Sequence, residues 1–484
     1  MKCHNKIFFK PDDLGKPLPE SEYAVSVCMP TWQHVVDYEE GKDYVHNALQ
    51  SAYPRFVYSR QCRDLFRQIA LKQADRDEGV IVFPCREAAQ ECIQFAGKGR
   101  TKNIDDGICA AIFPVNVQDK AREYWQHAGR IISGRQAESI LNKTRPDNEK
   151  GKDAKKSIIK RISHNSGYEE YDVYLYPSGM AAIYDAYRFL RDDPRDKKHA
   201  VQFGFPYIDT LKIIKKFGNG EFINYETPED IDRLGNYIGG NPVDGVFAEV
   251  PSNPMLRTID FKRLGRMLRH YNVPLVMDDT VGTFFNLDMS EYADILVTSL
   301  TKFFSGVGDV TCGSLCLNRK SSFYESFKQR LDRYYEDIFF AEDAIALEQN
   351  SRDFDERMPV INRNAEILAD YLKNHKKIAQ VNYPKFVDKD LYNVLKTEKG
   401  GYGGLLSFTL KNMEDAVTVY DSLQINKGPS LGTNYSLACP YTLLAHYNEL
   451  DFVESCGISR YLLRVSVGME DHNDIVRRFE VALK

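Results

Sequence analysis

The chain has 484 residues, of which 43% are hydrophobic and 27% are charged, and its formal net charge is −5 at pH 7. This length and balance are typical of a globular protein with two or three domains and a sizeable core. The small negative charge gives no electrostatic reason to expect binding to nucleic acid or to a membrane surface. No apolar run approaches the roughly 20 residues that cross a bilayer, so we expect no membrane-spanning helix.

The N-terminal sequence MKCHNKIFFKPDDLGK lacks the apolar stretch and the small-residue cleavage site of a signal peptide. The ten cysteines are scattered, without a C-x-x-C pair. The two nearest in sequence, Cys312 and Cys316, would face the same side of a strand, and this spacing does not match a zinc site. The sequence therefore predicts no metal and a reduced, cytoplasmic location.

Residues 1–165 are predicted to form an N-terminal arm and an inserted region. Within them, the stretch LNKTRPDNEKGKDAKKSIIKR (141–161) is charged and poor in apolar residues. This composition predicts an exposed loop or a mobile insertion, and it favours a solvated linker over a binding site.

From about residue 170 onwards, short apolar stretches alternate with amphipathic ones. The predicted strands are 171–176, 200–203, 244–250, 273–279 and 293–299, and the predicted helices are 179–193 and 260–271, the latter with Asp260 as N-cap. This alternation predicts an α/β fold with a mostly parallel sheet and helices on both faces. We assign residues 166–345 to this large domain and 346–484 to a smaller C-terminal α+β domain.

Polar residues follow the predicted strands, at the edge where such sheets bind ligands. They are Gly179 and Met180 after Ser178, Tyr207, Asn253, Asp278, and the run from Ser299 to Lys302. One small molecule could touch all of them.

The chemistry of these residues predicts which molecule it is. The turn before Gly179 offers backbone N–H groups at a helix N-terminus, which bind phosphate. Asp278 ends an apolar strand and needs a cationic partner such as a protonated ring nitrogen. Lys302, beside apolar strands, would have a depressed pKa and could react with an aldehyde. Alone, each has an ordinary structural explanation, but together they predict pyridoxal 5′-phosphate.

The motifs around these residues resemble the Cys/Met-metabolism family of pyridoxal-phosphate enzymes, which have the fold of type I pyridoxal-phosphate-dependent transferases. The matching motifs stand in family order between about 172 and 471: SGMAAI, EVPSNPMLRTID, VMDDT, TSLTKFFSGVGD and RVSVGMED. The resemblance is strongest around the predicted cofactor site and looser near the N-terminus.

The resemblance implies a role for each matching residue. Lys302 would carry the cofactor and act as the catalytic proton shuttle, and Tyr207 would stack on the ring and assist proton transfer. Asp278 would pair with the ring nitrogen, and Asn253 would contact the 3-oxygen of the ring. The residues implied at the phosphate are Gly179, Met180, Ser299 and Thr301.

The resemblance also implies a substrate site and contacts between subunits. Arg464 would bind the substrate α-carboxylate, and Ser430 would help through its backbone. In the family, a Tyr-x-Arg pair from a neighbouring subunit completes the phosphate site, which implies a homotetramer built as a dimer of dimers. The candidate pairs are Tyr53 with Arg55, which we favour, and Tyr58 with Arg60.

Within the family, the stretches AVSVCMPTWQHVVDYEEG (24–41), YPRF (53–56) and LGTNYSLACPYTLLAHY (431–447) look like the fungal-type cystathionine γ-synthases. The usual Tyr-Gly-Gly-Thr reads Tyr-Ile-Asp-Thr at 207–210, and a specificity-linked glutamate is replaced by Tyr435. Residues 85–165 are additional. The replacement by Tyr435 and the additional residues leave the identity of the substrate undetermined. They do not affect the predicted cofactor site.

The implied reaction is γ-replacement, in which L-cysteine displaces the acyl group of an O-acyl-L-homoserine and gives L-cystathionine, a step of transsulfuration and methionine biosynthesis. The same residues would serve a cystathionine or methionine γ-lyase or an O-acylhomoserine sulfhydrylase. Neither these activities nor the acyl group are distinguished by the active-site residues. A non-catalytic pyridoxal-phosphate-binding homologue is a further alternative, against which Lys302, Asp278 and Arg464 together argue.

Overall fold

Residues 7–105, 107–205 and 207–484 are described by a computed structural model of the chain. The prediction that there is no signal peptide rests on residues 1–16, and the first six of these lie outside the described ranges. The arm pairs two short strands antiparallel and continues into helices. Its elements are β1 (Pro17–Leu18), β2 (Ser26–Val27), α1 (Trp32–Glu39), α2 (Asp43–Ala48) and α3 (Arg60–Gln73).

The inserted region forms a small sheet covered by helices. Its elements are β3 (Glu78–Phe83), α4 (Arg86–Ala96), β4 (Arg100–Asn103), β5 (Cys109–Pro114), α5 (Gln118–Ala128), α6 (Gly134–Asn142) and α7 (Asn148–Ser166). The strands are antiparallel in the order β3-β5-β4. Buried residues of this region, such as Phe83 and Tyr124, belong to the same hydrophobic core as residues of the large domain.

The loop predicted at 141–161 is wrong, because most of this stretch belongs to α7. Ala154, Ile158 and Ile162 repeat every four residues and are buried, while charged residues such as Lys160 remain exposed. The helix begins after Asp147, whose side chain accepts a hydrogen bond from the Lys150 N–H. These three side chains form an apolar stripe along one face of the helix. The stripe adds too few apolar residues to show in the composition, but it is enough to pack this face of the helix against the protein.

The large sheet has seven strands in the order β6-β12-β11-β10-β9-β7-β8. Its elements, with the helices between them, are β6 (Val173–Tyr176), α8 (Gly179–Arg188), β7 (Ala200–Phe203), α9 (Ile208–Phe217), β8 (Glu221–Ile223), α10 (Asp230–Gly240), β9 (Gly245–Glu249), α11 (Phe261–Tyr271), β10 (Leu275–Asp278), α12 (Thr283–Asn286), β11 (Ile295–Thr298), β12 (Gly313–Leu317), α13 (Tyr324–Tyr334) and α14 (Ala341–Asn350). Strands β11, β10, β9, β7 and β8 pair in parallel, and β12 runs antiparallel to both neighbours. The predicted α/β fold with a mostly parallel sheet is confirmed.

Both faces of this sheet are buried, as its continuous apolar strands predict. On β9, Phe247 packs against one core, and its neighbours Val246 and Ala248 pack against the core on the opposite face. Asp260 caps α11 by accepting a hydrogen bond from the Arg263 N–H at 2.9 Å, as predicted. Five of the seven strands begin and end within two residues of the predicted bounds, whereas β8 and β12 were not predicted.

The C-terminal part contains a five-stranded sheet in the order β13-β14-β17-β16-β15. Its elements are α15 (Phe354–Lys373), β13 (Ile378–Asn382), α16 (Lys389–Leu395), β14 (Leu405–Leu410), α17 (Asp415–Ser422), β15 (Asn426–Lys427), β16 (Leu437–Pro440), α18 (Tyr441–His446), α19 (Leu450–Ser455), β17 (Leu463–Ser466) and α20 (His472–Ala482). Each of the three larger sheets draws its strands from one of the segments that we predict as domains, and the boundaries near 165 and 345 stay a prediction.

Within the described ranges, no helix combines the length and the apolar character needed to cross a membrane. The same residues contain no cluster of His, Cys, Asp and Glu side chains able to hold a metal ion. The cysteines among them are all free thiols.

Candidate active site

A cavity of about 180 Å³ lies at the carboxyl ends of β9, β10 and β11, closed on one side by the C-terminal part and on another by the arm. The sequence-predicted residues that line it are Tyr53, Arg55, Gly179, Met180, Tyr207, Asn253, Asp278, Ser299, Lys302, Ser430 and Arg464. The structure therefore brings together side chains that are up to about four hundred positions apart in sequence, as expected for the edge of a parallel sheet.

The start of α8 forms one end of the cavity. Ser178 caps the helix by accepting a hydrogen bond from the Ala181 N–H at 3.1 Å. A Cβ atom on Gly179 would stand 2.7 Å from the Cβ of Ser299, so only glycine allows the two turns to lie this close. The helix N-terminus presents unpaired N–H groups and a partial positive charge, which together suit a phosphate.

Thr301 lies just behind this wall. Its hydroxyl accepts a hydrogen bond from the Cys312 N–H at 3.0 Å and donates to the Cys312 carbonyl at 3.2 Å. These bonds fix the chain immediately before Lys302. A direct contact between Thr301 and a phosphate stays a prediction.

Asp278 lies at the end of β10, and its carboxylate accepts a hydrogen bond from the Thr280 N–H at 2.9 Å. Burial raises the pKa of this carboxyl group. Glu249 ends the neighbouring strand β9, and burial together with the charge of Asp278 raises its pKa well above the ordinary value. Two carboxyl groups in a poorly solvated place attract a ligand atom that carries a positive charge.

Lys302 lies across the cavity, on the turn that follows β11. Its Nζ donates a hydrogen bond to the Ser430 hydroxyl at 3.2 Å and stands 4.4 Å from the centre of the Tyr53 ring. Burial lowers the pKa of Lys302, the nearby charges of Arg464 and Arg55 lower it further, and Tyr53 opposes the shift. A lysine with a lowered pKa provides the neutral amine that a reaction with an aldehyde requires.

Arg464 projects from β17 and is only 4% exposed. Its guanidinium donates to the Asn253 side-chain oxygen at 3.3 Å and to the Ser430 carbonyl at 3.2 Å. It also lies over the ring of Tyr441, 4.7 Å from the ring centre. A buried arginine held on several sides in this way is oriented to receive a carboxylate in two parallel hydrogen bonds.

The arm delivers Tyr53 and Arg55 to the cavity of the same chain. Arg55 is 1% exposed and donates to the Tyr207 hydroxyl at 2.6 Å and to the Asp209 carboxylate at 3.0 Å. The alternative pair lies elsewhere, because Tyr58 packs its ring against Trp125 at 4.3 Å and the Arg60 side chain is 83% exposed. The geometry favours the first pair.

Several residues of the site were not predicted. Glu249 opens the motif EVPSNPMLRTID and Tyr441 lies within the stretch 431–447, but neither residue was singled out as part of the site. Asp209 could have been found, because a charged residue that replaces glycine in a buried stretch needs a partner. By contrast, Tyr435, which stands where a specificity-linked glutamate was expected, is 2% exposed and does not belong to the cavity lining within the described residues.

These residues fit pyridoxal phosphate. The helix N-terminus and Arg55 offer donors for a phosphate, and Asp278 offers an anion for a protonated ring nitrogen. The buried Arg55 Nε has no hydrogen-bond partner among the described residues, so a donor remains available to a ligand. Lys302 supplies the amine.

A second cavity of about 500 Å³ adjoins the first, and the two share Tyr53, Phe56 and Lys212 in their walls. It lies between the arm and α18 and carries polar side chains, including Glu39. Burial raises the pKa of Glu39 to about 7. The site as a whole therefore has room for more than one small molecule.

Comparison with known proteins agrees with this geometry. Residues 161–484 match the family described as Cys/Met metabolism PLP-dependent enzyme, and residues 61–133 match the N-terminal domain described for fungal trans-sulfuration enzymes. A cystathionine gamma-synthase of Saccharomyces cerevisiae is 32% identical over 96% of this chain and 98% of its own length. One of Neurospora crassa is 32% identical over 98% of both chains.

Solved structures share the fold. A putative O-acetylhomoserine (thiol)-lyase from Campylobacter jejuni, solved with a pyridoxyl-lysine, superposes with a TM-score of 0.61 at 23% identity and covers 68% of this chain and 86% of its own. At this identity the likeness establishes the fold alone. The family match extends over most of the chain, and the fungal relatives align over nearly its whole length. The chain therefore belongs to the Cys/Met-metabolism family of enzymes, whose cofactor is pyridoxal 5′-phosphate.

Proposed function

We propose that this enzyme is a cystathionine γ-synthase, which replaces the acyl group of an O-acyl-L-homoserine by L-cysteine and releases L-cystathionine. The meeting of Lys302 and Arg464 at Ser430 supports a reaction at the Cα of an amino acid. An amino acid whose carboxylate binds Arg464 would have its amine and Cα beside Lys302. The observation that carries the choice of γ-replacement is the alignment of fungal cystathionine gamma-synthases over nearly the whole chain.

In this proposal the cofactor is held by the residues of the cavity. Asp278 would keep the ring nitrogen protonated, Asn253 would contact the 3-oxygen, and Tyr207 would stack on the ring. The phosphate would be held by residues from the two turns and from the arm: Gly179, Met180, Ser299, Thr301, Tyr53 and Arg55. When bound, pyridoxal phosphate withdraws electron density from the substrate Cα, which makes protons at Cα and Cβ removable.

The side chains of this chain then carry out the remaining work. Arg464 fixes the α-carboxylate, and Ser430 holds Arg464 through its carbonyl. The neutral Lys302 amine takes the Cα proton and returns protons later. Burial raises the pKa of Tyr207 well above the ordinary value, so its hydroxyl stays protonated and can donate within the cavity. Removal of a Cβ proton would let the γ-acyloxy group leave as a free carboxylate with its bonding electron pair. The cysteine thiolate would then add at Cγ as a proton returns to Cβ, and the adjoining cavity provides room for the cysteine.

The test is a product assay with purified enzyme and added pyridoxal phosphate. O-acetyl-, O-succinyl- and O-phospho-L-homoserine are each supplied with and without cysteine, and products are identified by mass spectrometry. Cystathionine that forms only with cysteine supports the proposal and identifies the acyl donor. Formation of 2-oxobutanoate and ammonia from cystathionine would indicate a γ-lyase, and homocysteine formed from sulfide would indicate a sulfhydrylase.

Two lysine variants, one in the cavity and one on the surface, test whether turnover depends on Lys302. We expect Lys302→Ala to lower turnover by about 10²–10⁴-fold, the usual contribution of a positioned acid–base group. Lys215→Ala removes an exposed lysine of α9 and should leave turnover unchanged. Full activity in Lys302→Ala would overturn the mechanism. A homotetramer and a cytoplasmic location also remain predictions, and light scattering of the purified protein tests the first.

A further inference from the structure

Tyr441 lies where the C-terminal sheet meets the wall of the cavity. It follows β16 and is the first residue of α18, and β16 pairs with β17 so that Cys439 stands opposite Arg464. Tyr441 is 4% exposed and shares a small hydrophobic core with Val453 and Leu462. Both its backbone and its packing therefore hold the ring in place at the cavity.

The ring of Tyr441 contacts Arg464 without taking its charge. The guanidinium carbon lies 4.7 Å from the ring centre, which is the distance of a cation–π contact. Burial raises the pKa of Tyr441 above its ordinary value, so the hydroxyl stays neutral. Arg464 also donates to the carbonyls of Pro429 at 2.7 Å and Ser430 at 3.2 Å, which are neutral too. The positive charge of Arg464 is thus held in place but left to pair with an anion that enters the cavity.

The hydroxyl of Tyr441 determines how the Asn253 amide is oriented. It accepts a hydrogen bond from Nδ2 of Asn253 at 3.4 Å, and Oδ1 of Asn253 accepts one from Arg464 at 3.3 Å. Because a guanidinium can only donate, the amide oxygen must face Arg464 and the amide nitrogen must face Tyr441. The nitrogen carries two hydrogens and Tyr441 takes one of them. The other is left for a ligand in the cavity, such as the 3-oxygen of the cofactor ring.

We propose that Tyr441 is a positioning residue of this site: its ring holds Arg464 in place for the α-carboxylate of the substrate, and its hydroxyl holds the Asn253 amide in place for the cofactor. This inference rests on the proposed roles of Arg464 and of the cavity. A single side chain thereby fixes the group that binds the carboxylate relative to the group that contacts the cofactor ring.

Recognition of the carboxylate is measured with two amines that carry no γ-leaving group. L-2-aminobutanoate and propylamine differ by the carboxylate alone, and each is titrated into the enzyme loaded with pyridoxal phosphate. The absorbance of the bound cofactor reports binding. The ratio of the two dissociation constants measures the preference for the carboxylate, because effects of a substitution on the amine or on the amount of folded protein cancel in it.

The ring of Tyr441 is tested by this preference. We expect Tyr441→Leu to lower it about tenfold, because a desolvated cation–π contact is lost. Tyr441→Phe keeps the ring and should keep the preference within about threefold of wild type. Tyr171→Leu is the matched control, since it removes a half-exposed ring 4.2 Å from the Arg319 guanidinium outside the cavity. A wild-type preference in Tyr441→Leu, or a tenfold loss in Tyr441→Phe, would overturn the role of the ring.

The hydroxyl of Tyr441 is tested by a double-mutant cycle read as cofactor affinity. Pyridoxal phosphate is titrated into cofactor-free protein and followed by absorbance. We expect Tyr441→Phe to weaken binding by about threefold to tenfold, because the Asn253 amide loses a hydrogen bond. In an Asn253→Ala background the same substitution should add nothing. Unchanged affinity in Tyr441→Phe, or losses that add in the double variant, would overturn the role of the hydroxyl.

These binding constants also separate the inference from the proposed function. They do not depend on which reaction follows, so an enzyme that proves to be a γ-lyase tests Tyr441 equally well. Wild-type enzyme that binds propylamine as tightly as L-2-aminobutanoate would contradict the role of Arg464 and would overturn both. If Tyr441→Leu does not fold, the double-mutant cycle with Tyr441→Phe decides.

Discussion

Lys302 and Arg464 are joined through one residue, Ser430, which accepts a hydrogen bond from Lys302 on its hydroxyl and one from Arg464 on its carbonyl, each at 3.2 Å. The lysine comes from the large sheet and the arginine from the C-terminal sheet, so this junction couples the two parts at the site of chemistry. An amino acid whose carboxylate binds Arg464 therefore has its Cα restricted to positions close to Lys302.

Arg464 should govern substrate binding rather than cofactor binding. We expect Arg464→Met to raise KM for the acyl-homoserine by about 10- to 100-fold, because a hydrogen-bonded charge contributes about 1.5–3 kcal/mol. Cofactor affinity should stay at the wild-type value. Arg460→Met, which removes a partly exposed arginine paired with Glu454 outside the cavity, is the control in steady-state kinetics. An unchanged KM in Arg464→Met would contradict the assignment.

The pH dependence of cofactor capture should report the pKa of Lys302. Only the neutral amine reacts, so the association rate rises with pH. Burial lowers the pKa from its ordinary value of 10.5, so the midpoint should lie below 10.5. Tyr53 acts to raise this pKa, and Tyr53→Phe should therefore shift the midpoint lower still.

Stopped-flow mixing of cofactor-free protein with pyridoxal phosphate measures this midpoint. Tyr58→Phe, a tyrosine outside the cavity, should leave it in place. A midpoint at or above the ordinary lysine value would show that the amine is not desolvated.

Asp279 should make the stability of the cofactor-free protein depend on pH. Burial raises its pKa to about 8, from an ordinary value of 3.8. Between these values the folded state holds a proton that the unfolded state has lost. The contribution to the free energy of unfolding is therefore present below the ordinary pKa and is lost as pH rises through about 8.

We expect Asp279→Asn to reduce the decrease in the free energy of unfolding with rising pH, because the amide does not ionise. Urea unfolding at about pH 5 and about pH 9 measures it. Asp288→Asn, at an exposed aspartate, should show the same change in the free energy of unfolding between the two pH values as wild type. An equal change in wild type and Asp279→Asn would refute the explanation.

Helix α7 should behave as a packed element. Ile158 is 0% exposed, so Ile158→Ala should lower the free energy of unfolding by about 2–5 kcal/mol through the cavity it leaves. Lys160→Ala, on the exposed face of the same helix, should change it by less than about 0.5 kcal/mol. If both variants unfold like wild type in denaturant, the stretch is a linker after all.

The sequence predicts five of the seven strands of the large sheet, because these strands are short, apolar and bounded by polar residues that meet at one edge. It predicts α7 poorly, because the charge of Lys and Asp residues obscures three buried side chains. The place of Tyr441 over Arg464 could not be predicted, since it depends on the antiparallel pairing of β16 with β17. The ion pair of Arg55 with Asp209 was also beyond sequence patterns, because the two residues are distant in the chain.

In the proposed reaction a cysteine thiol, not water or a proton, determines the fate of the acyl-homoserine. The decisive measurement is the ratio of cystathionine to 2-oxobutanoate formed by the wild-type enzyme as cysteine is raised to saturation. We expect cystathionine to become the dominant product and 2-oxobutanoate to fall in proportion. Formation of 2-oxobutanoate at a rate that cysteine does not change, with no cystathionine, would contradict the assignment of γ-replacement.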